Sequence, residues 1–292
     1  MKKKRVGLIG LGEMGMGMAR NLLAAGFPLT GLDLREERVI MLAQAGGAVA
    51  DSPAEVGRAS DVAVLMPFDA GQLLDVLQGA DGLLAGMRPG GTVIVCATVG
   101  PAAMRRAAGL LEAKGLRWLD CPVSGGRRVA EAGALGLYAA GPAVDLEAQR
   151  DVLAAIGGHL LHVGEQAGQG QALKLASLLY YAVNSAGLME ALSLARRAGV
   201  PDAVLREVFG GGGEDDGAGH FRELADHVLS RRFSGTDNQI RYTAKDLDLC
   251  LQTGRETGAS LRVTDATFEL VKAAAERFPD EDKQSLIKLL EG

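Results

Sequence analysis

Three groups of residues in this 292-residue chain have types and spacings that could do chemistry. The first is Gly10-Leu11-Gly12-Glu13-Met14-Gly15, a G-x-G-x-x-G spacing between the short apolar run ending at Ile9 and a helical pattern through Met18, Leu22 and Leu23. In a strand–turn–helix setting, Gly10 allows the tight turn, Gly12 lets a pyrophosphate approach the backbone, and Gly15 lets the helix pack closely on the strand. The free amides at the helix N-terminus then face the phosphates. Asp33 stands about 20 residues further on, where a carboxylate accepts hydrogen bonds from both hydroxyls of an adenosine ribose and repels a 2′-phosphate. NAD is therefore favoured over NADP. Arg35 and Arg38 follow closely and could hold a 2′-phosphate instead, or simply form the exposed start of the next helix.

The second group is Lys174, the one Lys or Arg between Gly164 and Arg196. It can be read as a lysine snorkelling at a helix edge. Patterning alone favours that reading; the alternative is an ammonium held in a cleft, where desolvation brings its pKa toward the working pH and makes proton transfer with a substrate oxygen effective. The third group is Met66, Thr98 and Ser124, each at or just beyond the end of an apolar run.

The elements that must position these residues follow from patterning. Arg5–Ile9, Phe27–Asp33, Asp61–Met66, Thr92–Cys96, Leu116–Asp120, Leu135–Ala140 and His159–Val163 read as strands separated by helical stretches. Asp61–Met66 is stopped by Pro67, Pro101 opens a helix, and one helix is expected from Ala143 to Ile156. The pattern predicts an α/β domain with a Rossmann-type doubly wound sheet of roughly eight strands, covering residues 1–165. Ligands in such sheets bind at the carboxyl ends of the strands, which is why Met66, Thr98 and Ser124 become site candidates. Beyond the polar joint Gly164–Gly170 no convincing strand occurs. A helix over 171–197 and further helices near 220–230, 237–256, 261–277 and 283–290 predict an all-α second domain, 166–292. Gly210–Gly213 with Glu214, Asp215 and Asp216 reads as a polar loop.

Composition excludes several function classes. The net charge of −5 offers no footprint for nucleic acid or an anionic membrane. The basic run Lys2–Arg5 reads as a solvated flank, and the apolar run behind it is too short for a signal peptide or a spanning helix. Cys96, Cys121 and Cys250 are odd in number and widely spaced, which predicts reduced thiols, no metal site and a cytoplasmic location. The long helix is almost uncharged from Leu178 to Met189, so burial between domains or subunits and a homodimer or homotetramer are expected.

The glycine loop, together with Asp120-Cys121-Pro122-Val123-Ser124-Gly125-Gly126 and Gly168-Gln169-Gly170-Gln171-Ala172-Leu173-Lys174, resembles the three signatures of the β-hydroxyacid dehydrogenase family. That family includes 3-hydroxyisobutyrate dehydrogenases, tartronate semialdehyde reductases and succinic semialdehyde reductases. The resemblance runs over essentially the whole chain, down to Lys245-Asp246-Leu247 and Ser285-Leu286-Ile287-Lys288. It implies an enzyme that transfers a hydride between NAD(H) and a small carboxylate substrate, a β-hydroxyacid or its semialdehyde. By the same resemblance Lys174 is the general acid/base, and Ser124, Gly125 and Gly126 hold the substrate carboxylate. Met66, Pro67 and Thr98 line the cofactor, and Lys245 closes over it.

The departures from the family pattern gather around the substrate. The usual pair of Asn residues after the lysine is Ser177-Leu178 here, so Ser177 could offer one weaker hydrogen bond and Leu178 none. Tyr181 lies on the same helical face. Arg127 and Arg128 replace small residues, either reading a second anionic group or forming an exposed helix start. Gly217-Ala218-Gly219 stands where an aromatic is usual, and Phe68 follows Pro67 out of the common order. Gly15-Met16-Gly17-Met18 and Gly31-Leu32-Asp33-Leu34 look most like the sugar-acid, threonate-type members, which carry a histidine at the Ser177 position. Two alternatives remain: imine reduction on the same scaffold, and a dinucleotide-binding protein with little turnover.

Overall fold

The computed structural model describes residues 3–210, 219–235 and 239–292. They form two compact units, Met1–Lys174 and Leu175–Gly292.

The first unit is built on nine strands: β1 Val6–Ile9, β2 Leu29–Leu32, β3 Ala48–Val49, β4 Val62–Leu65, β5 Thr92–Val95, β6 Arg117–Asp120, β7 Val123–Ser124, β8 Leu135–Ala140 and β9 Gly157–Gly164. Their order is β3-β2-β1-β4-β5-β6-β8-β7, with β9 paired to β8. From β3 to β6 neighbours run parallel. At β8 the sheet becomes mixed, because β8 is antiparallel to β6 and β7 while β9 is parallel to β8. The strand order reverses between β1 and β4, the switch point at which the carboxyl ends of a doubly wound sheet open a crevice.

The strand sequences explain this arrangement. β1, β4 and β5 are buried at every residue, as unbroken apolar runs must be when helices cover both faces. Alternate residues then feed two cores. Leu8, Val62, Val64 and Ile94 join one, while Ile9, Ala63, Leu65, Val93 and Val95 join the other.

Several expectations need correction. The strand count is nine rather than about eight, because β3 and β7 have only two residues each and no apolar run announces them. The helix expected from Ala143 to Ile156 is two helices, Ala143–Ala148 and Arg150–Ile156. They break at buried Gln149, whose side-chain amide donates to Thr92 Oγ1 at 3.1 Å. The basic flank is not simply solvated. Lys3 donates to the carbonyl of Ala25, Lys4 pairs with Asp151, and Arg5 pairs with Asp61.

The long helix runs over Gln169–Arg197. In the second unit it is followed by helices Asp202–Leu205, Gly219–Leu229, Ile240–Thr257, Arg262–Arg277 and Leu286–Glu291, with a π turn at Arg206–Gly210. Its core gathers Met189, Leu192, Val228, Leu247, Val271 and Ile287. The strand pairing described there is one isolated bridge, Gln239 with Asp282. Among the described residues no helix is long and apolar enough to cross a membrane.

Candidate active site

The glycine loop joins β1 to the helix Glu13–Ala24, and three of its glycines have distinct reasons to lack a side chain. Gly10 adopts φ 96°, and a Cβ there would stand 2.4 Å from the carbonyl oxygen of Met66 across the β1–β4 switch point. A Cβ on Gly15 would lie 2.0 Å from the Gly10 carbonyl oxygen, so this helix seats on the loop only with glycine. Gly12 differs, because its Cβ would meet nothing closer than Arg35 Nη2 at 3.5 Å. Packing does not require glycine at 12, whereas close approach of a ligand to the backbone does. Gly12 is also the helix N-cap and supplies no side-chain cap. The first-turn amides of Glu13, Met14 and Gly15 are thus oriented as an anion site, and the residues present fit a dinucleotide pyrophosphate.

The charged groups beside the loop form two clusters. The Asp33 carboxylate accepts from Leu11 N at 2.7 Å, Arg35 N at 2.9 Å and Arg35 Nε at 3.1 Å. Burial pushes its pKa up, but these hydrogen bonds and the Arg35 charge outweigh that and leave it below the usual carboxylate range. Arg35 is exposed and leans on this carboxylate. Arg38 is largely buried and paired with Glu13, so it is not the exposed helix start considered above. Glu13 also meets Arg127, 3.2 Å from Nη1, and Arg127 Nε donates to Glu131 at 3.0 Å. Arg127 is exposed but engaged by two carboxylates.

At the carboxyl ends of the parallel strands, Met66 follows β4 and packs against one core, Pro67 is buried, and Phe68 is exposed. Thr98 lies in the loop between β5 and the helix Pro101–Glu112 and is half-buried. Ser124 ends β7 and is half-buried, followed by Gly125 at φ 139° and Gly126 at φ 75°. Two consecutive positive φ values turn the chain into the helix Gly126–Glu131, a conformation that favours glycine at both positions.

Lys174 is buried, on the second turn of the long helix and still within the first unit. The turn before it is held by two residues that sequence reasoning did not single out. Asp120, the last residue of β6, is fully buried and accepts from Gly168 N at 2.9 Å and Gln171 N at 3.3 Å. Gln171, also fully buried, donates its side-chain amide to Asp120 Oδ1 at 2.9 Å and to the Ala97 carbonyl at 3.0 Å. Its Oε1 accepts from Val99 N at 2.9 Å and Gly100 N at 3.2 Å. Burial drives the Asp120 pKa up to about 6 against the pull of these donors. Both residues sit inside the quoted motifs, and the one local hint was a carboxylate closing an apolar strand.

The remaining candidates belong to the second unit. Ser177 and Leu178 are half-buried and Tyr181 is exposed, ring edge against Tyr180 with centroids 5.6 Å apart. Lys245 is on the helix Ile240–Thr257, its Nζ 3.0 Å from Asp246 Oδ1. The loop expected at 210–216 and the 217–219 departure fall mostly on residues 211–218, outside the described residues.

Comparison with known proteins follows the same two-part division. Residues 5–164 match the family model described as the NAD binding domain of 6-phosphogluconate dehydrogenase, and residues 168–290 that described as NAD-binding of NADP-dependent 3-hydroxyisobutyrate dehydrogenase. The chain is 35% identical over 291 residues to an L-threonate dehydrogenase of Cupriavidus necator, covering 99% of this chain and 97% of that protein. It is 35% identical over 261 residues to a 3-hydroxyisobutyrate dehydrogenase of Pseudomonas aeruginosa, covering 87% of each. Among solved structures, a Mycobacterium tuberculosis 3-hydroxyisobutyrate dehydrogenase with L-serine superposes with a TM-score of 0.89 at 27% identity, covering 100% of both chains.

Proposed function

The chain belongs to the β-hydroxyacid dehydrogenase family, and on that premise we propose that it transfers a hydride between NAD(H) and a small β-hydroxyacid or its semialdehyde. The observation that carries this reading is the burial of Lys174 in the unit that also holds the glycine loop, Thr98 and Ser124. Buried, the ammonium is held largely out of bulk water, which suits proton exchange with a positioned hydroxyl or carbonyl oxygen.

The bound nicotinamide supplies the hydride acceptor or donor. Gly10, Leu11, Gly12, Glu13, Met14 and Gly15 would hold the pyrophosphate through backbone amides, and Asp33 would accept from the ribose hydroxyls. By the family resemblance, Met66, Pro67 and Thr98 would line the nicotinamide end and Lys245 would close over the cofactor. Ser124, Gly125 and Gly126 bind the substrate carboxylate, with Ser177 as a further polar contact. Lys174 Nζ takes the hydroxyl proton on oxidation and returns it on reduction. Holding the carbinol carbon near the reacting ring carbon is the protein's larger contribution, because orientation removes an entropic share of the barrier.

NAD is the proposed cofactor, since Asp33 is ionised below the usual range and faces the loop. A homodimer or homotetramer is proposed, supported by exposed Tyr180, Tyr181 and Leu194 on the long helix. A cytoplasmic location is proposed, supported by three free, buried cysteines. The test is NADH absorbance over a panel of hydroxyacids and semialdehydes that includes L-threonate, 3-hydroxyisobutyrate and L-serine. Turnover of at least one, absent without the dinucleotide, is expected. No turnover across the panel in either direction removes the reading.

A further inference from the structure

We infer that Gln171 and Asp120 are a positioning pair that sets the Lys174 turn of the long helix against the loop carrying Thr98. The inference rests on the reading of Lys174 as general acid/base and adds two residues that act through it.

Gln171 uses its whole hydrogen-bonding capacity. Its oxygen accepts from Val99 N and Gly100 N, and its amide nitrogen donates to the Ala97 carbonyl and Asp120 Oδ1. Thr98 therefore sits between two residues, Ala97 and Val99, whose backbones are gripped by one side chain. Gln171 is also three residues before Lys174, one helical turn away, so a shift of its backbone is a shift of Lys174. Asp120 pins the same turn from the sheet, accepting from the amides of Gly168 and Gln171. The amide of Gly170 contributes as well. A buried carboxylate at the positive end of a helix is held by direction as well as distance. An apolar contact would join helix to sheet without the desolvation cost, but it would fix neither the helix rotation nor the loop. The sense of the side-chain amide is also fixed, because the N–H groups of Val99 and Gly100 can only donate and the carbonyl of Ala97 can only accept.

Besides Lys174 itself, titratable or charged groups beside the pair include Cys121, with Cys96 against it, and Arg105. The Cys121 thiol is pushed up by its contact with Cys96 and by burial, and is neutral over the working range. Arg105 reaches the helix start, with Nη1 3.2 Å from where a Gly168 Cβ would stand.

The experiment compares Gln171→Leu, Gln171→Glu and Lys174→Ala with wild type, using the panel hydroxyacid of highest wild-type kcat. Hydrogen exchange at the Val99 and Gly100 amides is followed in parallel. Gln171→Leu is expected to lower kcat 10- to 100-fold while KM and the NADH Kd change less than threefold, with faster exchange at both amides. Gln171→Glu places a carboxyl against Asp120, and the two share one proton at acid pH. In that form the glutamate still accepts from Val99 and Gly100 and donates to Asp120, but with one proton in place of the amide's two it loses the bond to the Ala97 carbonyl. Its kcat relative to wild type should be highest near pH 5 and fall at least tenfold as the pH rises and the shared proton leaves. Should Gln171→Leu fail to fold, the near-isosteric Gln171→Glu carries the test. Wild-type kcat at every pH in Gln171→Glu, with Lys174→Ala inactive, overturns the positioning pair alone. Wild-type kcat in Lys174→Ala overturns the catalytic reading on which it rests.

Discussion

The Asp120 carboxylate, at the end of β6, lies 2.9 Å from the side-chain amide nitrogen of Gln171 in the first turn of the long helix. Through that contact a strand end, the loop after β5 and the turn preceding Lys174 are held as one piece. An ionised carboxylate in this setting has a cost, visible in a pKa pushed up to about 6.

That cost has a pH signature. With the native pKa raised from 3.8 to about 6, the folded protein binds a proton that the unfolded chain has already released in between. This group's contribution to stability is fully present below about 3.8 and is lost as pH rises through about 6. Moving from pH 7 to pH 5 should therefore stabilise wild type relative to Asp120→Asn by on the order of 1 kcal/mol. Urea unfolding of both proteins at the two pH values measures it, and an unchanged difference contradicts it.

Lys174→Ala should lower kcat by roughly 100- to 10,000-fold, the usual range for a positioned acid/base. NADH affinity should survive. Stopped-assay kinetics and fluorescence titration of NADH separate the two effects, and full turnover in the variant removes Lys174 from the chemistry.

The glycines of the loop should divide into two kinds. Gly15→Ala sets a Cβ 2.0 Å from a backbone oxygen and should cost about 1–3 kcal/mol of stability. Gly12→Ala meets nothing within 3.4 Å, so its Tm should match wild type while NADH binding weakens at least tenfold. Equal NADH affinity in Gly12→Ala would mean that the pyrophosphate does not approach this backbone.

Asp33→Ala removes the acceptor for Leu11 N and the partner of Arg35. NAD affinity should fall and NADP use should rise, because Arg35 becomes available to a 2′-phosphate. The ratio of kcat/KM for the two cofactors measures this, and an unaltered ratio places the ribose elsewhere.

Sedimentation velocity at micromolar concentration should show a dimer or tetramer, and replacing Tyr180 and Leu194 with Asp should shift it toward monomer. A wild-type monomer at that concentration refutes the assembly.

Much of this protein was determined by sequence alone, because the forces involved act over a few neighbours. Unbroken apolar runs such as Val62–Leu65 specify buried strands, and Pro101 at a helix start marks where the helix begins. The spacing of Gly10, Gly12 and Gly15 specifies a turn into a helix, and three ordered motifs specify the family. Tertiary structure decided what no local pattern encodes. β3 and β7 exist through pairing with β2 and β8, not through any apolar run of their own. Gln149, where a helix breaks, is buried with its side chain bonded to distant Thr92, and Arg38 and Arg127 converge on Glu13 from distant segments. Gln171 and Asp120 are 51 positions apart, and Gln171 and Ala97 are 74 apart. A buried polar group must find a partner, but which partner depends on the strands and helices that happen to meet around it.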